Sequence, residues 1–162
     1  RYINDSWTKP VPIHDDQWKI GACPVNGPKV AARDSTVAIA WYTEAGNKPT
    51  VKTAISKDLG ETFSTPVVIA EENTVGRVDL SIAEDGSVFV SEISSHKDRY
   101  YLTVHEVVDH TMSNTSYRIT EISQSRSSGF PQMEYIDGQL IFAWTQITGD
   151  TLNNVRSARF AL

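Results

Sequence analysis

Apolar residues come in short runs along this chain, and the runs repeat. Three segments open alike, at Gly27-Pro28-Lys29-Val30, Gly76-Arg77-Val78-Asp79 and Gly129-Phe130-Pro131-Gln132, so the leading glycines stand 49 and 53 residues apart. Each opening leads into a short strand and then a turn, at Asp34-Ser35, Asp85-Gly86 and Asp137-Gly138. An Asp-Gly pair between apolar runs supplies the backbone positions that a tight hairpin needs. A second strand follows each turn, over residues 37–42, 88–93 and 140–145. These runs are nearly continuously apolar at their starts, the pattern of strands covered on both faces. Third strands are predicted over 50–55, 100–107 and 154–160, and fourth strands over 65–69 and 117–122. Residues 6–13 line up with 62–69, Trp7 standing where Phe63 stands. They predict a fourth strand detached from its first three. No stretch carries a convincing helical period.

The result is an all-β chain of four-stranded antiparallel meanders with a period of about 50 residues, the pattern of a β-propeller. Its predicted parts are an outer strand plus a long loop (1–26), two blades (27–75 and 76–128) and a blade lacking its fourth strand (129–162). A propeller ring needs roughly four to eight blades, so about three blades predict a partial ring. Blades of a longer polypeptide would complete it, or a second copy would, each N-terminal strand pairing with the other chain's last blade as a homodimer. Long bare edges invite aggregation, which is why closure is expected.

Composition narrows the partners. Hydrophobic content of 40% and charged content of 22% suit a globular domain. A net charge of −5 without any basic run argues against nucleic acid or an anionic membrane surface. No apolar stretch approaches the ~18 residues of a membrane span. The single cysteine, Cys23, excludes an internal disulfide. The chain begins with Arg1, which fits a processed leader or a piece of a longer protein.

One local motif is sharp: Ser56-Lys57-Asp58-Leu59-Gly60-Glu61-Thr62-Phe63. Asp58 can accept from backbone N–H groups a few residues on, Ser56 can add a local bond, Gly60 can take a conformation costly for other residues, and Phe63 can pin the turn in the core. The stretch resembles the Asp-box, or BNR repeat, of sialidase-like β-propellers. That resemblance implies a six-bladed ring of which this chain is half. It also implies a substrate site at the channel mouth, on the face shared by the 4→1 and 2→3 loops. Export to the periplasm or the medium goes with it. The motif itself belongs on the opposite face, as a structural turn.

On the mouth side the chain offers several candidates. The channel strands begin with Lys29, Arg77 and Gln132, and Asp79 and Glu134 lie two positions on, sharing a face with Arg77 and Gln132. A cationic ring would grip a carboxylate. Arg77–Asp79 also reads as a structural ion pair. The long first loop carries His14, Asp15, Asp16, Trp18, Lys19 and Cys23. Trp18 reads either as a stacking surface for a sugar or as a plug between blades, and Cys23 as a small buried hydrophobe. Three adjacent residues cannot all converge on one ion from an extended segment, so no metal site or cofactor is expected at His14-Asp15-Asp16. Glu92 stands where sister repeats carry Trp41 and Trp144, and is expected near the exposed end of its strand.

Catalytic residues are not assignable: the resemblance implies an arginine triad, a tyrosine nucleophile and an Arg-Ile-Pro motif, and the last is absent. Three functions stay open. They are a glycan or small anionic ligand bound at the channel mouth, a fragment of an exo-sialidase-type glycoside hydrolase, and a protein-interaction or assembly module.

Overall fold

The computed structural model describes residues 1–21, 25–148 and 152–162; Cys23 lies outside the described residues. Among the described residues thirteen strands form one small hairpin and three antiparallel sheets. The hairpin pairs β1 (Tyr2–Ile3) with β2 (Ser6–Trp7). The first sheet has the order β3 (Lys29–Arg33), β4 (Thr36–Thr43), β5 (Thr50–Ser56), β6 (Val67–Glu71). The second runs β7 (Asp79–Ile82), β8 (Val88–His96), β9 (Arg99–Val108), β10 (Thr111–Ile122), and the third β11 (Gln132–Ile136), β12 (Gln139–Thr148), β13 (Leu152–Ala161). Each sheet is a meander in chain order, the third with three strands.

Turn chemistry explains the tight connections. Asp137 and Gly138 both take positive φ (48° and 75°), joining β11 to β12. The β8–β9 and β9–β10 turns do the same without glycine, through Lys97-Asp98 and Asp109-His110. β8, β9 and β10 therefore run further than the apolar pattern shows. Two register shifts in β10, between Met112 and Ser116 and between Arg118 and Thr120, absorb the extra length.

The sheets stand side by side with a core between each pair. Ala38, Ala40, Val51, Ile55 and Ile69 of the first sheet meet Leu80, Val88, Val90 and Val107 of the second. On the other side of the second sheet, Phe89, Ile93, Leu102 and Val104 meet Met133, Leu140, Phe142 and Trp144 of the third. Among the described residues only the middle sheet has another sheet on both faces. In β4, Ala38 and Ala40 are buried while Val37, Ile39 and Trp41 are half-exposed, and in β12 Leu140, Phe142 and Trp144 are buried while Ile141, Ala143 and Thr145 are not. The expectation of two covered faces thus holds for β8 and not for β4 or β12. The three sheets do not close into a ring.

The N-terminal segment differs from the predicted fourth strand. Residues 8–21 and 25–28 contain no strand, and β1–β2 pairs only with itself, closed by Asn4 and Asp5 at positive φ. Trp7 is 79% exposed and stacks edge-on against Tyr2. The free edge that residues 6–13 would suit, β13, lies at the far end of the row of sheets. The segment instead crosses the open face of the first sheet, from an Arg1–Glu61 ion pair (3.2 Å) to Asp16 against Trp41 and Lys52.

Candidate functional site

The first strands of the three sheets, β3, β7 and β11, adjoin one another, and their opening residues meet at one point. Lys29 Nζ donates to Gln132 Oε1 (3.4 Å) and lies 3.8 Å from Asp79 Oδ1. Asp79 Oδ2 accepts from the Met133 N–H (2.8 Å), which ties β7 to β11. One layer deeper, Ser81 Oγ accepts from the Tyr135 N–H (3.0 Å) and donates to Glu134 (3.4 Å). These strands and β12 enclose a cleft of about 480 Å³ whose polar lining includes Asp79, Ser81, Gln132 and Glu134. At the far end of β3 the Arg33 guanidinium lies 5.4 Å from the centre of the Tyr135 ring. Burial pushes the Asp79 carboxyl above its usual range, with Glu134 adding to it, although the Met133 N–H and Lys29 pull the other way.

Arg77, named with this set from the sequence, does not join it. Its Nη1 donates to Ser128 Oγ (2.6 Å) and its Nη2 to the Gln124 carbonyl (2.8 Å). It staples the loop ahead of β11, and burial together with Arg126 lowers its pKa. It makes no ion pair with Asp79, whose cationic neighbour is Lys29. The backbone explains the diversion. Gly76 and Arg77 both have positive φ (73° and 56°), and the Arg77 N–H is held by Asn26 Oδ1 (2.9 Å). The chain therefore turns sharply just before β7.

Trp18 lies elsewhere on the mouth side, half-buried and edge-on to Tyr42 at 5.9 Å. Its loop is anchored by Asp16, which accepts from Trp41 Nε1 (2.6 Å) and Lys52 Nζ and lies 3.3 Å from His14 Nε2. Burial raises the Asp16 pKa, but the Lys52 and Trp41 bonds outweigh it and hold it below the usual value. Asp16, which the sequence offered only as a candidate metal ligand beside His14 and Asp15, is instead this clamp. The spacing of Asp16, Trp41 and Lys52 carries no local pattern that could have revealed it.

Glu92 overturns its expectation. It is fully buried, accepts from Thr74 Oγ1 (2.6 Å) and faces His105 Nε2 at 3.3 Å. Thr74 Oγ1 also accepts from the Gly76 N–H (3.0 Å). The carboxylate therefore holds the loop that delivers Asp79 to the mouth.

The 56–63 turn sits at the opposite end of the first sheet. Asp58 accepts from the N–H groups of Glu61 and Thr62 (both 2.9 Å) and from the hydroxyls of Ser56 and Thr62 (both 2.6 Å). Ser56 Oγ accepts from the Gly60 N–H (2.8 Å), Gly60 has φ 80°, and Phe63 is half-buried close to Gly60. The Leu59 N–H reaches the Ser35 carbonyl (3.0 Å) in the β3–β4 turn, which places the motif on the face away from Lys29.

No protein-family model matches the chain, and no curated protein matches it. Solved structures do. A xylan β-1,4-xylosidase from Bacillus halodurans aligns with TM-score 0.58 and 10% identity over 82% of this chain and 27% of its own. An endo-arabinase from Bacteroides thetaiotaomicron aligns with TM-score 0.59 and 15% identity over 83% of this chain and 55% of its own. A family 43 endo-arabinanase from Bacillus licheniformis aligns with TM-score 0.50 and 12% identity over 93% of this chain and 57% of its own. These glycoside hydrolases are five-bladed β-propellers. The chain therefore shares the fold of part of a β-propeller and spans between about a quarter and just over half of these proteins. The fold is shared with glycoside hydrolases of this group and is not specific to sialidases.

Proposed function

We propose that the chain is a carbohydrate-binding segment of a glycoside-hydrolase-like β-propeller, holding a neutral glycan at the axial cleft. The observation that carries this reading is the convergence of Lys29, Asp79 and Gln132 from three inner strands above that cleft. It sets a donor, an acceptor and an amide within reach of one another, as polyol recognition requires. The likeness to glycoside hydrolases supports it. Charge favours a neutral ligand over an anionic one: Lys29 faces the Asp79 carboxyl, Glu134 adds a second acidic group near Asp79, and Arg77 is occupied by Ser128 and Gln124. The sialic-acid and exo-sialidase readings lose their cationic ring on the same ground.

Isothermal titration with xylotetraose, arabinotetraose and 3′-sialyllactose tests this. A neutral oligosaccharide is expected to bind, with Lys29→Ala and Asp79→Asn each weakening it by about tenfold or more, the range of a lost charge-assisted hydrogen bond. Preference for sialyllactose, or unchanged affinity in both variants, contradicts the reading.

A second reading, hydrolysis, is favoured by Asp79 itself. A buried carboxyl with a raised pKa near the exposed carboxyl of Glu134 sets two acids in unlike environments, as glycoside hydrolysis uses. Release of 4-nitrophenol from its xyloside or arabinofuranoside, lost in Asp79→Ala, supports it; no release by the wild type removes it.

A further inference from the structure

The mouth side has a second concavity, away from the axis. It measures about 610 Å³ and lies between the 17–20 loop and the turn over Ala45–Asn47. Trp18 and Tyr42 form its aromatic wall. Around them stand Lys19, Glu44 and Asn47, whose side chains make no hydrogen bond or ion pair with any described residue. The Tyr42 hydroxyl is likewise without a hydrogen bond, and burial with Glu44 nearby keeps it protonated.

The adjoining cavity, which Trp18 also lines, is a useful contrast. It holds about 420 Å³, and its Asp16 carboxylate is already committed to Trp41 and Lys52. Lys19, Glu44 and Asn47, which have no partner among the described residues, line the first concavity and not this one. A sugar ring needs that combination, because it presents a flat C–H face and a rim of hydroxyls.

We propose that this concavity is a subsite for a neutral sugar ring. Trp18 supplies the stacking face, and Glu44, Asn47 and Lys19 supply hydrogen bonds to hydroxyls. The inference rests on the carbohydrate reading of the axial cleft and extends it to a second point on the same side. The two points are physically linked. Asn26 bonds to Val75 and Arg77, and the Tyr42 ring packs on Gly76, so the wall of the concavity is built against the loop that leads to Asp79.

Chemical-shift mapping of the whole chain with xylotetraose tests it. Binding is expected to shift the Trp18 indole and the Glu44 and Asn47 amides as well as the Lys29, Asp79 and Gln132 amides. Trp18→Ala is expected to erase the first group, keep the second, and weaken affinity about tenfold. Glu44→Ala, which removes an exposed side chain bonded to no described residue, is expected to weaken binding as well, so the test survives if Trp18→Ala does not fold. Shifts at the axis alone overturn the subsite and leave the carbohydrate reading standing. Shifts at the concavity alone support the subsite and overturn the axial placement. No shifts at either place overturn both.

Discussion

A carboxylate with no exposure, such as Glu92, must be stabilised by its partners or stay protonated. Burial drives its pKa up from 4.5, while His105 and Thr74 act against the rise. A carboxyl raised in the folded state keeps a proton that the unfolded chain releases first, so stability falls as pH rises above the unfolded value. Glu92→Gln keeps an acceptor for Thr74 and removes the titration. Its stability relative to the wild type is therefore expected to rise as the pH climbs above 4.5, the value Glu92 starts from, in denaturant titrations, and a difference that does not change with pH contradicts this assignment. Asp58 has the opposite sign. The Ser56 and Thr62 hydroxyls and the backbone N–H groups hold it well below the carboxylate range, so its contribution is present at neutral pH and lost in acid. Asp58→Ala should lower the melting temperature at pH 7, with a gap that closes below about pH 4, and leave oligosaccharide affinity unchanged. Lost affinity in a folded Asp58→Ala protein would move the turn to the mouth face. Gly76 is the third sensitive position: a Cβ there would lie 2.8 Å from the Tyr42 ring at φ 73°. Gly76→Ala should destabilise by about 2–3 kcal/mol in the same titrations.

Among the elements, those with a strong local pattern were legible in the sequence. The repeated glycines, the Asp-Gly turns and the apolar runs placed the meanders and their order. They also put Lys29, Asp79 and Gln132 at matching strand starts, and the structure brings those three together. What escaped depended on distant partners. Arg77 matched the position of a channel cation, but its side chain follows Ser128 and Gln124, which are 51 and 47 residues away. Glu92 looked like an exposed end because no local signal announces Thr74 or His105. Residues 6–13 matched a fourth strand in pattern, yet a strand forms only where an edge is within reach, and Pro10 and Pro12 offer no N–H to one.

At the scale of the whole molecule, the open faces are the main feature. Val37, Ile39 and Trp41 at one end of the row and Ile141, Ala143 and Val155 at the other are apolar residues on faces that no sheet covers. Apolar faces of this kind favour association. The chain alone is then expected to self-associate in sedimentation equilibrium, and Ile39→Asp with Ile141→Asp to return it to the mass of one chain. A monomeric wild type that binds no hydrophobic dye contradicts that expectation. The axial cleft lies where β3, β7, β11 and β12 meet, and the proposed carbohydrate binding turns on it. Its most direct test is a crystal structure of the chain with xylotetraose. The account expects a sugar ring in the cleft within hydrogen-bond distance of Lys29 Nζ, Asp79 and Gln132; an ordered oligosaccharide elsewhere, with the Lys29–Asp79–Gln132 contacts intact and the cleft empty of sugar, would contradict it.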